Sequence, residues 1–353
     1  MTDHTLSSTQ CSARYRAAFK HMSDLYLGID TSNYRTSVAV IDSVGNIAAQ
    51  KAVLLDVPEG KRGLRQSDAF FMHSNRLPEY IEDIFRTVEP ARIKAIGVSE
   101  RPRRVEGSYM PCFLAGVNAA REIAAVLKVS AYSFSHQEGH AAAVMEYGGK
   151  KPASRTLFFH LSGGTTEALL CSPDESGYSM KIVGGTRDIS VGQLLDRFGV
   201  ALGMHFPSGQ FLDDIAYEVL EKTDFDRKKS PKTEVIPRLK QTDGYFNLSG
   251  AETRLIRYAE AQGDISANYV TAELFMAVSD LLISDALYLK EKYSADRIYM
   301  AGGVASSCTF RAVAQRSNIT DLNFGAPELS GDNAVGTALL AKRIDETGNR
   351  ITG

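Results

Sequence analysis

The sequence predicts an α/β protein of two similar domains that face each other across a ligand-binding cleft. Strand–turn–strand segments open two successive parts of the chain, at 25–55 and at 156–186, and further strands and helices follow each of them. Three strands end in glycine-containing turns, which offer backbone N–H groups to phosphate. A unit that occurs twice in this way favours a duplicated fold with its cleft between the copies.

In the first unit, the segment "LYLGIDTS" predicts a strand, and the residues on either side of the turn "SVGN" predict a β-hairpin. Apolar residues at three- and four-residue spacing predict its helices. The elements expected in order are a strand, a hairpin, a helix, a strand, a helix and a short strand, at 25–32, 34–55, 67–88, 93–100, 116–129 and 131–135.

The second unit repeats the opening with "TLFFHLSGGTTEALLCS", a strand, a tight glycine turn and a strand. The elements expected after it are a strand, three helices, a strand that leads into glycines and a last helix, at 178–186, 190–203, 212–222, 271–293, 296–307 and 332–350. The predicted organisation is a flexible extension over 1–23, a first domain over 24–135 that the helix at 332–350 completes, and a second domain over 136–331.

Composition excludes several classes of protein. The 353 residues are 44% hydrophobic and 23% charged, and no apolar run approaches the roughly 18–20 residues that span a membrane. The first 23 residues are polar and lack the apolar stretch of a signal peptide. The four cysteines are Cys11, Cys112, Cys171 and Cys308, and no two of them have C-x-x-C spacing. This pattern indicates neither a disulfide framework nor a zinc ribbon, and it predicts that the protein resides in a reducing cytoplasm.

The net charge of −2 provides no global positive field for nucleic acid, so RNA contacts would need local basic patches. Two segments are candidates, "RPRR" at 101–104 and "DRKKSPK" at 226–232. Taken alone, each is more often a solvated loop than a binding site.

The segment "SHQEGH" places His136 and His140 four residues apart, on one face of a helix. This spacing suits a two-histidine metal site, although such pairs also occur on plain helix surfaces. The metalloprotease motif H-E-x-x-H is excluded because Glu138 lies roughly 200° around the helix from His136 and points away from a shared metal.

The turns "GIDTS", "LSGGTT" and "AGGVASS" together fit the actin, sugar-kinase and heat-shock ATPase architecture. In that fold a nucleotide lies between two ribonuclease-H-like domains. The P-loop motif G-x-x-x-x-G-K-[ST] does not occur in the chain, so a P-loop protein is excluded.

From about residue 24 to residue 345 the chain resembles the bacterial tRNA threonylcarbamoyladenosine transferases, formerly described as glycoproteases. "HQEGH" is similar to the family's H-x-E-G-H, the most diagnostic match, and "GIDTS" is similar to G-I-E-T-S. "LSGGTTEAL", "MAGGVASS" and "LSGDNA" resemble S-G-G-H-T-x-L, A-G-G-V-x-x-N and C-T-D-N-A.

The resemblance implies transfer of a threonylcarbamoyl group from threonylcarbamoyl adenylate to the exocyclic amine of the adenosine beside the anticodon of tRNA. It implies one divalent metal, iron or zinc, held by His136, His140 and Asp332. It also implies a partner subunit of the same fold family and an accessory ATPase. The residues expected at the adenine nucleotide are Leu161, Ser162, Gly163, Gly164, Thr165, Asp196, Gly209, Gly303 and Ser307.

Several positions depart from the family's pattern. "NYRT" stands for C-D-E-T, so Tyr34 and Arg35 replace two acids, and "ERPRRVEGSYM" replaces a G-P-G-L turn. A guanidinium at Arg35 could bind a phosphate but cannot act as a base. The remaining departures are Thr165 for histidine, Gln193 for glutamate, Glu252 for lysine and Ser307 for asparagine.

The departures leave more than one interpretation open. The first is the transferase, or a paralogue with an altered substrate or reduced activity. The others are a non-catalytic scaffold for a true transferase and a carbamoyl or small-molecule transferase on the same fold. A sugar kinase is the least favoured, since it has no need of the histidine pair.

Overall fold

A computed structural model describes residues 23–32, 34–56, 64–223, 234–261, 266–317 and 319–348. The predicted extension over 1–23 and the segment "DRKKSPK" lie almost entirely outside these residues. None of the helices described is both long and apolar enough to cross a membrane.

The first sheet has five strands in the order β3-β2-β1-β4-β5. Strand β2 pairs antiparallel with β1 and β3, whereas β4 pairs parallel with β1 and β5. Residues alternate between the two faces of this sheet, as the two-residue period of a strand requires. The strands are β1 Leu25–Asp30, β2 Arg35–Asp42, β3 Ile47–Leu54, β4 Ile93–Arg101 and β5 Ser130–Ser135.

The second sheet repeats this arrangement and adds one short strand. Its strands are β6 Thr156–Leu161, β7 Thr166–Asp174, β8 Gly177–Thr186, β9 Tyr245–Phe246, β10 Arg297–Ala301 and β11 Leu322–Phe324. Their order is β11-β10-β6-β7-β8-β9. The run β8-β7-β6-β10-β11 matches the order and the strand directions of the first sheet, so the predicted duplication is confirmed.

The predicted helices agree closely with the observed ones, but the long helix starts earlier and three further helices were not expected. The long helix begins at Ala267, four residues before the expected start at 271. No helix was expected at 249–261, 308–316 or 327–330; in the first of these only Ala251 and Leu255 are buried, and the last is a single short turn. The helices are α1 Gln66–Thr87, α2 Phe113–Leu127, α3 His136–Met145, α4 Val191–Ala201, α5 Gly209–Thr223, α6 Ser249–Ala261, α7 Ala267–Tyr293, α8 Cys308–Arg316, α9 Pro327–Ser330 and α10 Val335–Thr347.

Helix α10 lies directly on β1, β4 and α3, and glycines make this close approach possible. A Cβ at Gly28 would collide with the carbonyl oxygen of Ala334, and one at Gly336 would collide with that of Gly139. Backbone therefore meets backbone where larger side chains would separate the elements. This packing brings the loop before α10 to the start of α3.

Candidate metal centre and nucleotide cleft

The histidine pair lies at the start of α3, directly after β5. Ser135 caps the helix, accepting a hydrogen bond from the Glu138 N–H, while the Glu138 carboxylate accepts one from the Ser135 N–H at 2.9 Å. This capping box fixes the first turn of the helix. It also turns Glu138 away from the histidine face, as the helical period predicts.

Three potential ligands converge at this point. The Nε2 atom of His140 lies 2.9 Å from Nε2 of His136 and 3.2 Å from Oδ1 of Asp332. The distance from His136 Nε2 to the same oxygen is 3.3 Å. Among the described residues, these three form a group whose ligand atoms all lie within 4.8 Å of one another.

The donor set suits a transition metal. Two imidazole nitrogens and one carboxylate oxygen are typical ligands of zinc or iron, and three protein ligands leave coordination positions open for a substrate. Because both Nε2 atoms approach the same carboxylate oxygen, a single cation could contact all three groups.

Asp30 orients His136 from the other side of the ring. Its Oδ2 atom lies 2.8 Å from His136 Nδ1, and it also accepts hydrogen bonds from the hydroxyl of Ser99 and, through Oδ1, from the N–H of Ser32. A carboxylate on Nδ1 leaves the lone pair of Nε2 available for a metal. The sequence hypothesis missed this role and treated Asp30 only as part of a turn; the one sequence signal was an acid at the end of an otherwise apolar strand.

The electrostatics of this cluster favour a cation. Burial lowers the pKa of a histidine, yet Asp30 and Asp332 together raise the pKa of His136 to about 10. Burial likewise opposes ionisation of Asp332, but the two histidines hold its pKa well below the ordinary value. The negative potential that retains a proton on His136 also attracts a metal ion, and metal binding would release that proton.

A third histidine borders the cluster, and no motif pointed to it. The ring of His160, near the end of β6, lies 4.9 Å from the His140 ring, centroid to centroid. Burial and the neighbouring His140 and His136 hold its pKa well below 6.5. A neutral His160 therefore forms part of the wall beside the candidate ligands.

The glycine turn after β6 is held by its own polar groups. Ser162 N–H donates to the carbonyl of Thr165 at 2.8 Å, and the Ser162 hydroxyl accepts from the Thr165 N–H at 3.0 Å. The Ser190 hydroxyl, at the start of α4, donates to the Gly163 carbonyl at 2.7 Å. Gly163 and Gly164 are exposed, and a Cβ built on either would meet nothing within 4 Å.

The turn borders a cleft of about 680 Å³, large enough for a nucleotide. Five of the nine residues expected at a nucleotide line this cleft: Gly163, Asp196, Gly209, Gly303 and Ser307. Leu161 is buried, while Ser162, Gly164 and Thr165 belong to the adjoining turn.

Two of the side chains that line the cleft already form hydrogen bonds with other residues of the chain. Asp196 Oδ1 accepts hydrogen bonds from the N–H groups of Ser208 and Gly209, at 2.8 and 3.1 Å. The Ser307 hydroxyl donates to Asp213 at 2.6 Å and caps α8 through the Phe310 N–H. Both side chains shape the cleft, and contact of either with a ligand stays a prediction.

Comparison with known proteins assigns the family. The family model for tRNA N6-adenosine threonylcarbamoyltransferase matches residues 59–339, about four fifths of the chain. The chain belongs to this family.

Individual relatives agree with the assignment. The enzyme of that name from Streptococcus pneumoniae is 30% identical over 327 residues, covering 89% of this chain and 90% of the relative. The one from Thermotoga neapolitana is 27% identical over 290 residues, covering 81% and 82%. Among solved structures, T. kodakarensis HypF superposes with a TM-score of 0.56 at 14% identity, over 93% of this chain and 48% of HypF. That similarity shows the fold alone.

One of the departures from the family's pattern, Arg35, lies beside the candidate metal ligands. Arg35, at the start of β2, donates from Nη1 to the backbone carbonyl of Asp332 at 3.2 Å. The sequence left open whether this guanidinium faces a phosphate or the metal. The structure places it against the Asp332 loop.

Segment 101–104, part of the stretch 100–110 that stands where the family has a G-P-G-L turn, is a set of ion pairs and not a free basic patch. Arg103 pairs with Glu167 at 2.7 Å, Arg104 pairs with Glu138 at 2.6 Å, and Arg101 pairs with Glu100. Its charges are neutralised within the chain, which weakens the interpretation of "RPRR" as an RNA contact.

Two other departures from the family's pattern have local explanations. Gln193 completes a capping box at α4, where its side-chain oxygen accepts from the Ser190 N–H at 3.1 Å; glutamine serves here as well as glutamate. Glu252 pairs with Arg197 at 2.7 Å across α4 and α6. Both residues stabilise the elements that carry the cleft.

Proposed function

We propose that the protein transfers a threonylcarbamoyl group from threonylcarbamoyl adenylate to the exocyclic amine of the adenosine beside the anticodon of tRNA. Family membership supports tRNA threonylcarbamoylation in general. The observation that carries the proposal is the convergence of His136, His140 and Asp332 in a chain that also has an open, glycine-lined cleft.

The transfer breaks one bond and forms another. The amine nitrogen attacks the carbamoyl carbon, the bond from that carbon to the phosphate oxygen breaks, and AMP leaves with the electron pair while the amine loses a proton. A metal bound by His136, His140 and Asp332 would polarise a donor oxygen as a Lewis acid. In this scheme Asp30 orients His136, and the open backbone at Gly163 and Gly164 receives phosphate.

The partners belong to the same proposal. We expect tRNA as the acceptor, a second subunit of this fold family and an accessory ATPase, with the cytoplasm, where tRNA is present, as the setting. An alternative is a paralogue with a changed acyl donor or a scaffolding role, and Arg35 beside Asp332 is the observation that favours it.

The direct test is an assay of the purified chain with tRNA and threonylcarbamoyl adenylate, with and without its partner proteins. Digested tRNA is examined by mass spectrometry for the modified nucleoside. We expect product with the wild type and little with His140→Ala, and none on a tRNA with guanosine at the acceptor position. Absence of product with all partners present would contradict the proposal and favour the paralogue.

A further inference from the structure

We propose that Arg35 forms a binding site for an oxyanion, a carboxylate or a phosphate of the acyl donor, beside the His136–His140–Asp332 cluster. This inference rests on the proposed function for the identity of the donor. The site itself rests on the surroundings of one side chain.

The guanidinium of Arg35 has no counter-ion in the part of the chain that the structure describes. No carboxylate oxygen of those residues lies within 4.0 Å of its nitrogens. Its one hydrogen bond there is the contact with the Asp332 carbonyl, and its Nε is buried without an acceptor. A half-buried cation with unused donors gains strongly from an anion, because burial has removed part of its hydration.

Other arginines of this region differ in this respect. Arg103 is neutralised by Glu167, and Arg104 by Glu138 and by contacts with Ser176. Arg343 pairs with Glu146 at 2.9 Å. Arg35 therefore retains an unneutralised positive charge where its neighbours do not.

The position of this charge suits a ligand that also reaches the metal ligands. A single residue, Asp332, joins the two: its carbonyl accepts from Arg35, and its carboxylate faces both histidines. Gly331 keeps the loop close, since a Cβ there would lie 3.2 Å from Arg35 Nη1. The Asp332 side chain is 32% exposed and Arg35 is half-buried, so we place the oxyanion at the exposed side of Asp332, within reach of the guanidinium.

The chemistry of the guanidinium narrows the ligand. Its planar fork of N–H donors matches two oxygens of a carboxylate or a phosphate. Threonylcarbamoyl adenylate carries both groups, the carboxylate on the threonyl part and the phosphate on the adenylate. Two probes distinguish binding of the carboxylate from binding of the phosphate: N-carbamoyl-L-threonine has the carboxylate alone, and AMP has the phosphate alone.

The test measures binding of both probes to zinc-loaded protein by calorimetry, for wild type, Arg35→Gln, Arg35→Lys and Arg86→Gln. Arg86 is an exposed arginine of α1 and controls for loss of one positive charge. We expect Arg35→Gln to weaken one probe about tenfold or more, Arg35→Lys to weaken it less, and Arg86→Gln to change it less than about twofold. The probe whose binding is weakened shows whether Arg35 binds the carboxylate or the phosphate of the donor.

Three results would overturn the site. They are no binding of either probe to the wild type, equal binding to wild type and Arg35→Gln, and loss of zinc from Arg35→Gln, which would show that Arg35 only holds the Asp332 loop. The tRNA assay is read separately. Arg35-dependent binding without tRNA modification would refute the proposed function alone, whereas modification without such binding would refute this inference alone.

Discussion

At the scale of single residues, the centre of interest is a pair of carboxylates around His136. Asp30 holds Nδ1 of the ring and Asp332 faces Nε2, so the imidazole is fixed on both sides. This arrangement orients the ring in advance, which would raise the affinity for a metal by lowering the cost of ordering the ring.

We therefore expect the wild type to hold roughly one divalent transition metal per chain, and His140→Ala to lose most of it. The measurement is elemental analysis after anaerobic purification without chelators. His205→Ala is the matched control, because His205 is exposed and lies outside the cluster. A metal-free wild type, or a His140→Ala variant that retains its metal, would contradict the assignment.

Asp285 in α7 predicts a dependence of stability on pH. It is fully buried, neither carboxylate oxygen has a hydrogen-bond partner among the described residues, and burial raises its pKa from 3.8 to about 7. Between these values the unfolded chain has released the proton and the folded chain keeps it. The free energy of unfolding therefore falls as pH rises from about 4 to about 7 and then levels off.

The size of this effect is measured against Asp285→Asn, which cannot ionise. Relative to that variant, the wild type is expected to lose about 1.4 kcal/mol of unfolding free energy per pH unit over this window. Urea unfolding at pH 4.5, 6 and 7.5 provides the comparison. Parallel pH curves for the two proteins would show that Asp285 does not titrate in this way.

At the scale of elements, the turn between β6 and β7 and the start of α4 form one unit. The Ser190 hydroxyl joins them by donating to the Gly163 carbonyl while it caps α4. The two exposed glycines of the turn are therefore held in place by neighbouring groups and do not depend on a ligand for their position.

Replacing Gly164 by valine tests whether this turn receives a nucleotide. Nothing lies within 4 Å of a Cβ there, so Gly164→Val is expected to change the free energy of unfolding by less than about 0.5 kcal/mol. The side chain would occupy the volume of the ligand and weaken adenine nucleotide binding by about tenfold or more. Calorimetry with ATP and AMP measures this loss.

Gly250→Val, in α6, is the control for this substitution, because a Cβ at that glycine also meets nothing within 4 Å. It should bind nucleotides like the wild type. Equal nucleotide binding by Gly164→Val and wild type would place the nucleotide elsewhere.

At the scale of the whole molecule, the loop after β4 connects the two sheets. Arg104 on this loop pairs with the buried Glu138 of α3 and donates to the hydroxyl and carbonyl of Ser176, between β7 and β8. Glu138 also accepts a hydrogen bond from the Tyr178 N–H at 3.1 Å. Helix α3 is thereby held between both halves of the molecule.

We expect Arg104→Met to lower the free energy of unfolding by about 3 kcal/mol, because it leaves the Glu138 carboxylate buried without its cation. The estimate is at the low end for a buried pair, since the Arg104 side chain is 35% exposed. Arg101→Met is the control: its pair with Glu100 is partly exposed and is expected to contribute less than about 1 kcal/mol. A smaller loss for Arg104→Met than for Arg101→Met in urea unfolding would refute the role of Arg104.

The sequence by itself determined the local and the repeated features of this protein. Strand alternation and helix periodicity depend on residues a few positions apart, so the duplicated strand–turn–strand units, the shared face of His136 and His140 and the orientation of Glu138 away from that face could all be predicted. Family motifs added Asp332 as a ligand candidate and the glycine turns as a nucleotide site.

Only the tertiary structure decided which distant residues meet. Asp30 reaches His136 across 106 positions, Asp332 reaches His140 across 192, and Arg35 reaches the Asp332 carbonyl across 297. No local period encodes these contacts. They exist because the glycines of β1, α3 and α10 let backbone pack on backbone, which carries the loop of Asp332 to the start of α3, between the two sheets.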